Sequence, residues 1–477
     1  MHLHLKPITT SIFIGSLLFF NSCSTTKTIE LKDLNFEIPK YWSTEISHDR
    51  EIDSTWLDTF NDEYLERFVQ NYKKNNLDLK SLIYNKNIAY QSSIINGAGL
   101  LPSVNSSISV DTSLQNFSSF GLDASSLGDQ FSNFTINPNS STSRLGIGLQ
   151  WEIDIWGRLL NAKKAAKKDF RATEYDLSFL ALSSLIRSIQ AYFKAVEAYG
   201  QFIIAKESYE SFQEIRNLVK DRYKKGLKSS LDYRLAETSV STSKVKLENK
   251  KLESGNMKRF LETLIGQYPS SKIEISKTLP SSLPLLEETL PGDLIIRRPD
   301  IKSHFLKLES AGYLLAQSKR NLLPGISVSG SAGTATKRIQ DILKDENLVW
   351  NAGLALSLPI FNSGKLKAAS KIEESRMKVI KNNLEKALLT AFSEVEQLLS
   401  FEQSLAIQLE AMKNAVNQSL DAYKLSKERY DKGITSLELV LNSQSQYNNI
   451  RSQYLTLIRL RLENRLSLLL ALGGKWN

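Results

Sequence analysis

The chain contains a second version of itself. Sliding the sequence by 207 positions lays Gly157 on Gly364, Leu159 on Leu366 and Ala162 on Ala369. The same shift lays Arg222, Tyr223, Lys225 and Gly226 on Arg429, Tyr430, Lys432 and Gly433, and it lays Leu261 and Gly266 on Leu468 and Gly473. No gap is needed between 145–266 and 352–473. Upstream, "LLPSVNSSISV" from Leu100 resembles "LLPGISVSGSA" from Leu322 at a shift of 222, so the first copy carries 15 more residues between its two strand-like stretches. Chance does not hold one register across so many glycines and charged residues. The chain is a tandem duplication, and its fold is two versions of one unit.

Each copy reads as a helix, two strands and a long helical hairpin. In "VNSSISVDTSL" the residues Val104, Ile108, Val110, Thr112 and Leu114 share one parity, opposite Asn105, Ser107, Ser109 and Asp111. In "LGIGLQWEIDI" Leu145, Ile147, Leu149, Trp151, Ile153 and Ile155 oppose Gly146, Gly148, Gln150, Glu152 and Asp154. The second copy alternates likewise from Trp350 through Ala352, Leu354, Leu356 and Leu358 to Ile360. A period of two over about ten residues is what a tilted strand needs to cross a bilayer. Trp151, Trp156, Trp350 and Phe361 stand where interfacial anchors belong. An ordinary half-buried sheet alternates in the same way. The start of the chain and the Ser/Asn/Gly-rich loops favour the membrane barrel.

From Arg158 to Arg222 there is no proline, enough chain for roughly 100 Å of α-helix. In the second copy Leu388, Ala391, Val395 and Leu398, then Leu405, Leu409, Met412 and Val416, fall on steps of three and four and predict a coiled-coil seam of period 3.5. Each long helix should reverse at a glycine turn, "RYKKGLKSS" or "RYDKGITS". Between the copies a proline- and serine-rich stretch reads as a non-helical waist.

The chain opens with Lys6 followed by the apolar run Ile8–Phe20, too short to span a bilayer and suited to the core of an export signal. Cys23 follows, the only cysteine among 477 residues, so no internal disulfide is available. It is either a chance thiol in a discarded leader or the lipidated first residue of the mature chain. Ser22 supports the lipidated reading, whereas Phe20 and Asn21 depart from the usual Leu–small–small pattern. The net charge of +10 is spread along helical segments without aromatic-interleaved basic blocks, so we expect a solvated basic face and no nucleic-acid partner.

Four membrane strands cannot close a barrel, and an open edge in lipid leaves backbone groups unpaired. Small barrels begin at about eight strands, and at that size side chains fill the interior. A hollow barrel built from this chain needs at least three copies. Glu152 and Asp154, on the polar parity, are then expected on its lumen-facing wall.

With these stretches in view the chain resembles the TolC/OprM-type outer membrane efflux proteins, in their lipoprotein (NodT-like) subgroup. The resemblance rests on "NLLPGISVSGSAG", "WEIDIWGRL", "LSLPIFNSGKL", "RRPDIKSHFLKLESAGYLLAQ", "RYDKGITSLELVLNSQ" and "LLLALGGKW", in order and over nearly the whole length. It implies an α+β membrane fold: a trimeric twelve-stranded β-barrel, four strands per chain, continued by a long antiparallel α-helical coiled-coil barrel. The expected domains are a signal peptide at 1–22, a lipid-anchored extended segment at 23–60, periplasmic helices at 61–100 and 298–321, barrel hairpins at 101–156 and 322–362, helical hairpins at 157–266 and 364–473, and an equatorial segment at 267–297.

The resemblance further implies a homotrimer that docks a periplasmic adaptor (membrane fusion) protein. The adaptor would link it to an inner-membrane pump, usually of the resistance–nodulation–division type. Such a channel is a passive conduit for expelled substrates and needs no cofactor; the alternative is the outer membrane component of type I protein secretion. Cys23 would carry the lipid, palmitate included, and Ser24 after it fits outer-membrane sorting. The tip and adaptor contact would comprise Arg222, Tyr223, Lys225, Gly226, Asp232, Arg429, Tyr430, Lys432, Gly433 and Glu438. The family often has an acidic residue six positions after the turn glycine. Asp232 keeps it, whereas Leu439 replaces it in the second copy with Glu438 one place earlier. Glycine C-caps and cations at helix ends account for the same residues without any gating role.

An enzyme reading takes "EIDI" as the start of the E-x-D-x-E motif of laminarinase-type glycoside hydrolases, whose retaining chemistry needs two carboxylates about 5 Å apart. Here Trp156 stands where the further Glu belongs, and long coiled helices are foreign to that all-β fold. His48 and His304 stand alone and His2 and His4 lie in the leader, so no metal site is expected. "NSGKL" lacks the upstream glycine and the Ser/Thr of a phosphate loop.

Overall fold

A computed structural model of the chain describes residues 38–44, 56–114, 139–284 and 290–473. The expected signal peptide and Cys23 lie outside the described residues. The chain divides into two compact units.

The first unit, residues 90–170 and 306–381 among those described, holds one four-stranded antiparallel sheet. Its strands are β1 (Ser103–Leu114), β2 (Asn139–Ile153), β3 (Gly325–Thr336) and β4 (Leu348–Ser357), in the spatial order β1-β2-β3-β4. The register sorts the alternation onto two faces. Val104, Leu149, Gly330 and Ala352 form one row, Trp151, Val328 and Leu354 the next, and Ile153, Ile326 and Leu356 a third. Ser103, Gln150, Ser329 and Gly353 line up on the opposite face, beside Asn105, Gly148, Ser331 and Asn351.

The apolar face is uncovered: Val104, Ile108, Leu354 and Leu356 are 61%, 64%, 74% and 70% exposed. Water does not tolerate a continuous apolar sheet face of this kind, and lipid does. Gly146 and Gly333 pair directly where β2 and β3 approach closely; a Cβ on Gly333 would stand 2.2 Å from the Leu145 carbonyl oxygen. Among the described residues the outer strands β1 and β4 each pair on one side only.

The second unit, residues 38–89, 171–305 and 382–473 among those described, is helical. Helix α1 (Glu63–Asn75) opens on Asp62, whose carboxylate accepts the Tyr64 and Leu65 amides at 3.0 and 3.1 Å and the Tyr192 hydroxyl at 3.0 Å. Leu65, Phe68, Val69 and Tyr72 form its buried face. Helix α2 (Leu77–Gly97) buries none of its residues.

The long hairpins repeat the sequence register residue for residue. Helix α3 runs Arg158–Lys224 and α4 runs Ser230–Leu264; after the short α5 (Asp293–Arg297) and α6 (Pro299–Arg320), α7 runs Lys365–Asp431 and α8 runs Leu437–Ala471. Helices α3 and α7 have 67 residues each, α4 and α8 have 35 each. The long uninterrupted helices follow from the absence of proline and the density of good helix formers. The predicted seam of α7 shifts: Leu388, Ala391, Val395 and Leu405 are buried as expected, but Leu399 is buried in place of Leu398. Leu409, Met412 and Val416 are only half-buried. A helix turning every 3.6 residues drifts off a strict 3.5-residue seam, and the buried stripe follows the helix.

Polar residues tie this unit together. The Arg298 guanidinium is buried and donates to Asp300 at 2.8 Å, to Glu394 at 2.8 Å and to the Ala471 carbonyl at 3.2 Å, joining the starts of α6 and the ends of α8 to α7. Glu262, near the end of α4, accepts the amides of Ser271, Lys272 and Ile273 at 2.6, 2.6 and 2.9 Å. That carboxylate holds the return of the waist segment. Among the described residues no helix is long and apolar enough to cross a membrane.

Candidate functional site: the two glycine turns

Each long helix ends in the same device. Gly226 and Gly433 adopt φ of 70° and 75°. In the first turn the Leu227 amide donates to Arg222 O at 2.9 Å and the Gly226 amide to Tyr223 O at 2.9 Å. In the second, Ile434 donates to Arg429 O at 2.9 Å and Gly433 to Tyr430 O at 3.0 Å. This is the Schellman arrangement, with glycine where a left-handed conformation is required.

The returning helices start on Ser229 and Ser436, whose hydroxyls accept the amides of Asp232 and Leu439. In the first copy Asp232 also accepts the Ser229 amide, completing a capping box. Leu439 has no carboxylate to return the bond, and exposed Glu438 sits in the first turn of α8 instead.

Side chains join the turns of the two copies. Tyr430 is buried at 2% exposure, with the Arg222 guanidinium 5.5 Å and the Lys228 ammonium 4.4 Å from its ring centre. Arg222 also meets Asp431 at 3.3 Å. Burial, reinforced by the Asp232 carboxylate, pushes the Tyr430 hydroxyl above its ordinary pKa. Tyr223 is stacked on Tyr233 with ring centres 5.6 Å apart, and Tyr233 donates to Glu237 at 2.8 Å. Behind them Phe212, Ile215, Val219, Ala236, Leu437 and Val440 form one apolar cluster. Lys225, Arg429 and Lys432 are exposed, Lys432 beside Glu428 at 2.5 Å. Leu227 and Ile434, one position past each glycine, are 69% and 60% exposed.

The two carboxylates of "EIDI" stand elsewhere and are occupied. Glu152, the penultimate residue of β2, pairs with Arg158 at 2.5 Å. Asp154 lies past the end of β2 and accepts the Leu160 amide at 2.7 Å. The expectation of Asp154 on a strand wall is corrected: Gly157 (φ 73°) turns the chain into α3, and the carboxylate satisfies a free amide of that helix's first turn. Trp151 and Trp156, read as interfacial anchors, donate to Leu100 O at 3.1 Å and Pro324 O at 2.7 Å and so clamp the strand end. Sequence reading missed the Arg298 joint. Its only trace was "RRPD", with proline at a helix's first position and an acid beside it.

An uncovered apolar sheet face, twin helical hairpins in one register and matched glycine turns define a membrane protein built from a lipid-compatible sheet and long helical hairpins. The chain belongs to the outer membrane efflux protein family, whose model matches residues 68–267 and 290–474. It is similar to the pyoverdine export outer membrane protein OpmQ of Pseudomonas aeruginosa, 27% identical over 425 residues covering 88% of this chain and 87% of that one. It is similar also to the cation efflux system protein CusC of Escherichia coli, 26% identical over 344 residues covering 71% and 74%. Among solved structures, the outer membrane channel CmeC of Campylobacter jejuni superposes with a TM-score of 0.80 at 24% identity, covering 95% of each chain. The fold class is that of the family's trimeric channels, and the protein is an outer membrane efflux component rather than an enzyme.

Proposed function

We propose that the protein is the outer-membrane duct of a tripartite efflux system, a passive conduit for substrates driven by an inner-membrane pump through a periplasmic adaptor. The observation that carries this reading is the sheet: four strands with one lipid-compatible face, one polar face and two single-sided edges, β1 and β4. Three copies supply twelve strands and leave no edge in lipid. Helix α2 supports an assembly larger than one chain, since Ile83, Tyr84, Ile88 and Ile95 are 63–73% exposed.

The glycine turns form the periplasmic tip. Leu227 and Ile434 offer an apolar contact to the adaptor, ringed by Lys225, Arg429 and Lys432. Relatives named for pyoverdine export and for cation efflux favour small cargo over type I protein secretion. The pump is of the resistance–nodulation–division type, and Cys23 anchors each copy in the outer membrane through fatty acid. Purified protein in planar bilayers should give steady single-channel conductance, and a null mutant should regain efflux on complementation. Bilayers that stay silent while complementation fails would overturn the duct. Fatty-acid labelling retained in Cys23→Ala would remove the anchor without touching the channel.

A further inference from the structure

The polar face of the sheet continues into α3 on one side only. Glu152 stands on that face opposite Ser327, and Arg158 at the start of α3 reaches back to pair with it. The Arg158 side of α3 is therefore the polar side. At about 100° per residue, Lys167 lies half a turn from Arg158 and Lys163 about 140° from it, on the side of the apolar sheet face. Leu160, 43% exposed, shares that side.

The internal repeat places more cations on the matching side of α7. The shift of 207 lays Arg158 on Lys365 and Leu160 on Lys367, and Lys371, Glu374 and Lys378 follow Lys367 at steps of four, three and four. Glu374 accepts from Lys378 at 3.0 Å; that bond, with the charges of Lys319 and Lys371, holds its carboxyl below the usual range. Lys319, the penultimate residue of α6, thus joins the same side. Lys163, Lys167, Lys319, Lys367 and Lys371 are all exposed. The carboxylate among them is already taken by Lys378.

These lysines adjoin the lipid-compatible surface, all within the first unit. Lys367 and Lys371 lie about 3 and 9 Å along α7, and Lys163 and Lys167 about 8 and 14 Å along α3. Both helices start at the sheet, and helical side chains lean toward the helix N-terminus, here back toward the strands. Between strands and lysines stand Ile155, Trp156, Ile360 and Phe361, which are 45%, 37%, 91% and 87% exposed. Apolar strands, then aromatic rings, then cations follow the order in which a bilayer passes from hydrocarbon into a head-group layer about 5–8 Å deep.

We propose that this basic patch docks anionic phospholipid head groups of the leaflet that faces the helical hairpins. The proposal rests on the outer-membrane reading above, and its occupant is the lipid phosphate. Each ammonium donates to phosphate oxygens while its stem lies along the apolar border. A zwitterionic lipid carries its own cation beside the phosphate and gains less. The apolar sheet face and the lysines bracket the head-group layer from its two sides, so the patch fixes how deep the sheet sits. Each lysine replaced should weaken anionic-lipid binding about fivefold.

The test uses the full chain purified in detergent, given equal phosphatidylglycerol and phosphatidylethanolamine, with retained lipid read by native mass spectrometry. Wild type should retain phosphatidylglycerol in excess. Lys163→Gln, Lys167→Gln, Lys367→Gln and Lys371→Gln combined should lose the excess, and arginine at the same four positions should keep it. Lys244→Gln, Lys251→Gln, Lys413→Gln and Lys424→Gln, the same charge change in the other unit, should also keep it. If the combined glutamine variant fails to assemble, the Lys163/Lys167 and Lys367/Lys371 pairs are replaced separately, and each should lose part of the excess. Equal retention of the two lipids by wild type, or equal loss in the control variant, overturns the proposal. So does displacement of phosphatidylglycerol by inorganic phosphate but not by chloride at the same ionic strength, which would mark a free-anion site. A shifted reversal potential in planar bilayers with unchanged lipid retention would turn the lysines into the conduit and overturn it too. Conducting wild-type protein without lipid preference sinks the proposal alone, whereas protein that never conducts sinks the duct reading beneath it.

Discussion

Arg222 and Asp431, 209 positions apart, meet at 3.3 Å and tie the end of the first long helix to the end of the second. The pair is partly exposed, so its worth for stability is about 0–1 kcal/mol. Its position at the turns matters more. Asp431→Lys reproduces what the first copy carries at Lys224. We expect trimer stability to change by less than about 1 kcal/mol, while mean conductance in planar bilayers rises as the turns repel. Unaltered conductance would show that this contact does not hold the turns together.

Gly226 and Gly433 carry positive φ, and a Cβ on either meets nothing within 4 Å. Replacement by alanine therefore costs backbone strain alone, about 1 kcal/mol for each turn. Chemical unfolding of Gly226→Ala and Gly433→Ala should show two similar, nearly additive losses. A large loss at one turn only would mean that side-chain contacts, not conformation, select glycine there.

Gly333 is constrained differently, by the β2 backbone against it. Gly333→Val should abolish insertion into the outer membrane, read by fractionation. Gly148→Ala, whose Cβ would meet only the Asn105 carbonyl oxygen at 4.0 Å, should insert normally.

Glu402 supplies a pH-dependent contribution. Burial alone would raise its pKa, but Arg465, with Asn464 and Arg461, outweighs burial and holds the carboxylate below the usual range. A depressed folded pKa means stability that is fully present above the unfolded value of about 4.3 and is lost as pH falls through the folded one. Glu402→Gln should lower stability at pH 7 by about 1–3 kcal/mol, and the gap from wild type should narrow in acid. Thermal melts followed by circular dichroism across pH 7 to pH 3 measure it; a gap independent of pH would remove the electrostatic explanation.

The strands, the long helices and their glycine reversals were legible in the sequence because each is a local matter. Alternation reports a strand's two faces, and a left-handed residue after a helix demands glycine at Gly226 and at Gly433 alike. The 207-residue register carried the rest of the architecture from one copy to the other. Glu152 and Asp154 were less legible. Their alternation with apolar neighbours fits a wall or a catalytic pair equally well until the turn at Gly157 brings Arg158 and the Leu160 amide to them.

By itself the sequence determined that the protein is a duplicated unit of strands and helical hairpins that one copy cannot close. Spacing and periodicity suffice for that, since they are set by backbone geometry. Only the tertiary structure decided which charges pair. Glu197 with Arg459, Arg298 with Glu394 and Arg222 with Asp431 are separated by 262, 96 and 209 positions, and no local pattern specifies partners at such distances. Packing of the first copy against the second selects Glu197–Arg459 and Arg222–Asp431, and packing of α6 against α7 within the second copy selects Arg298–Glu394.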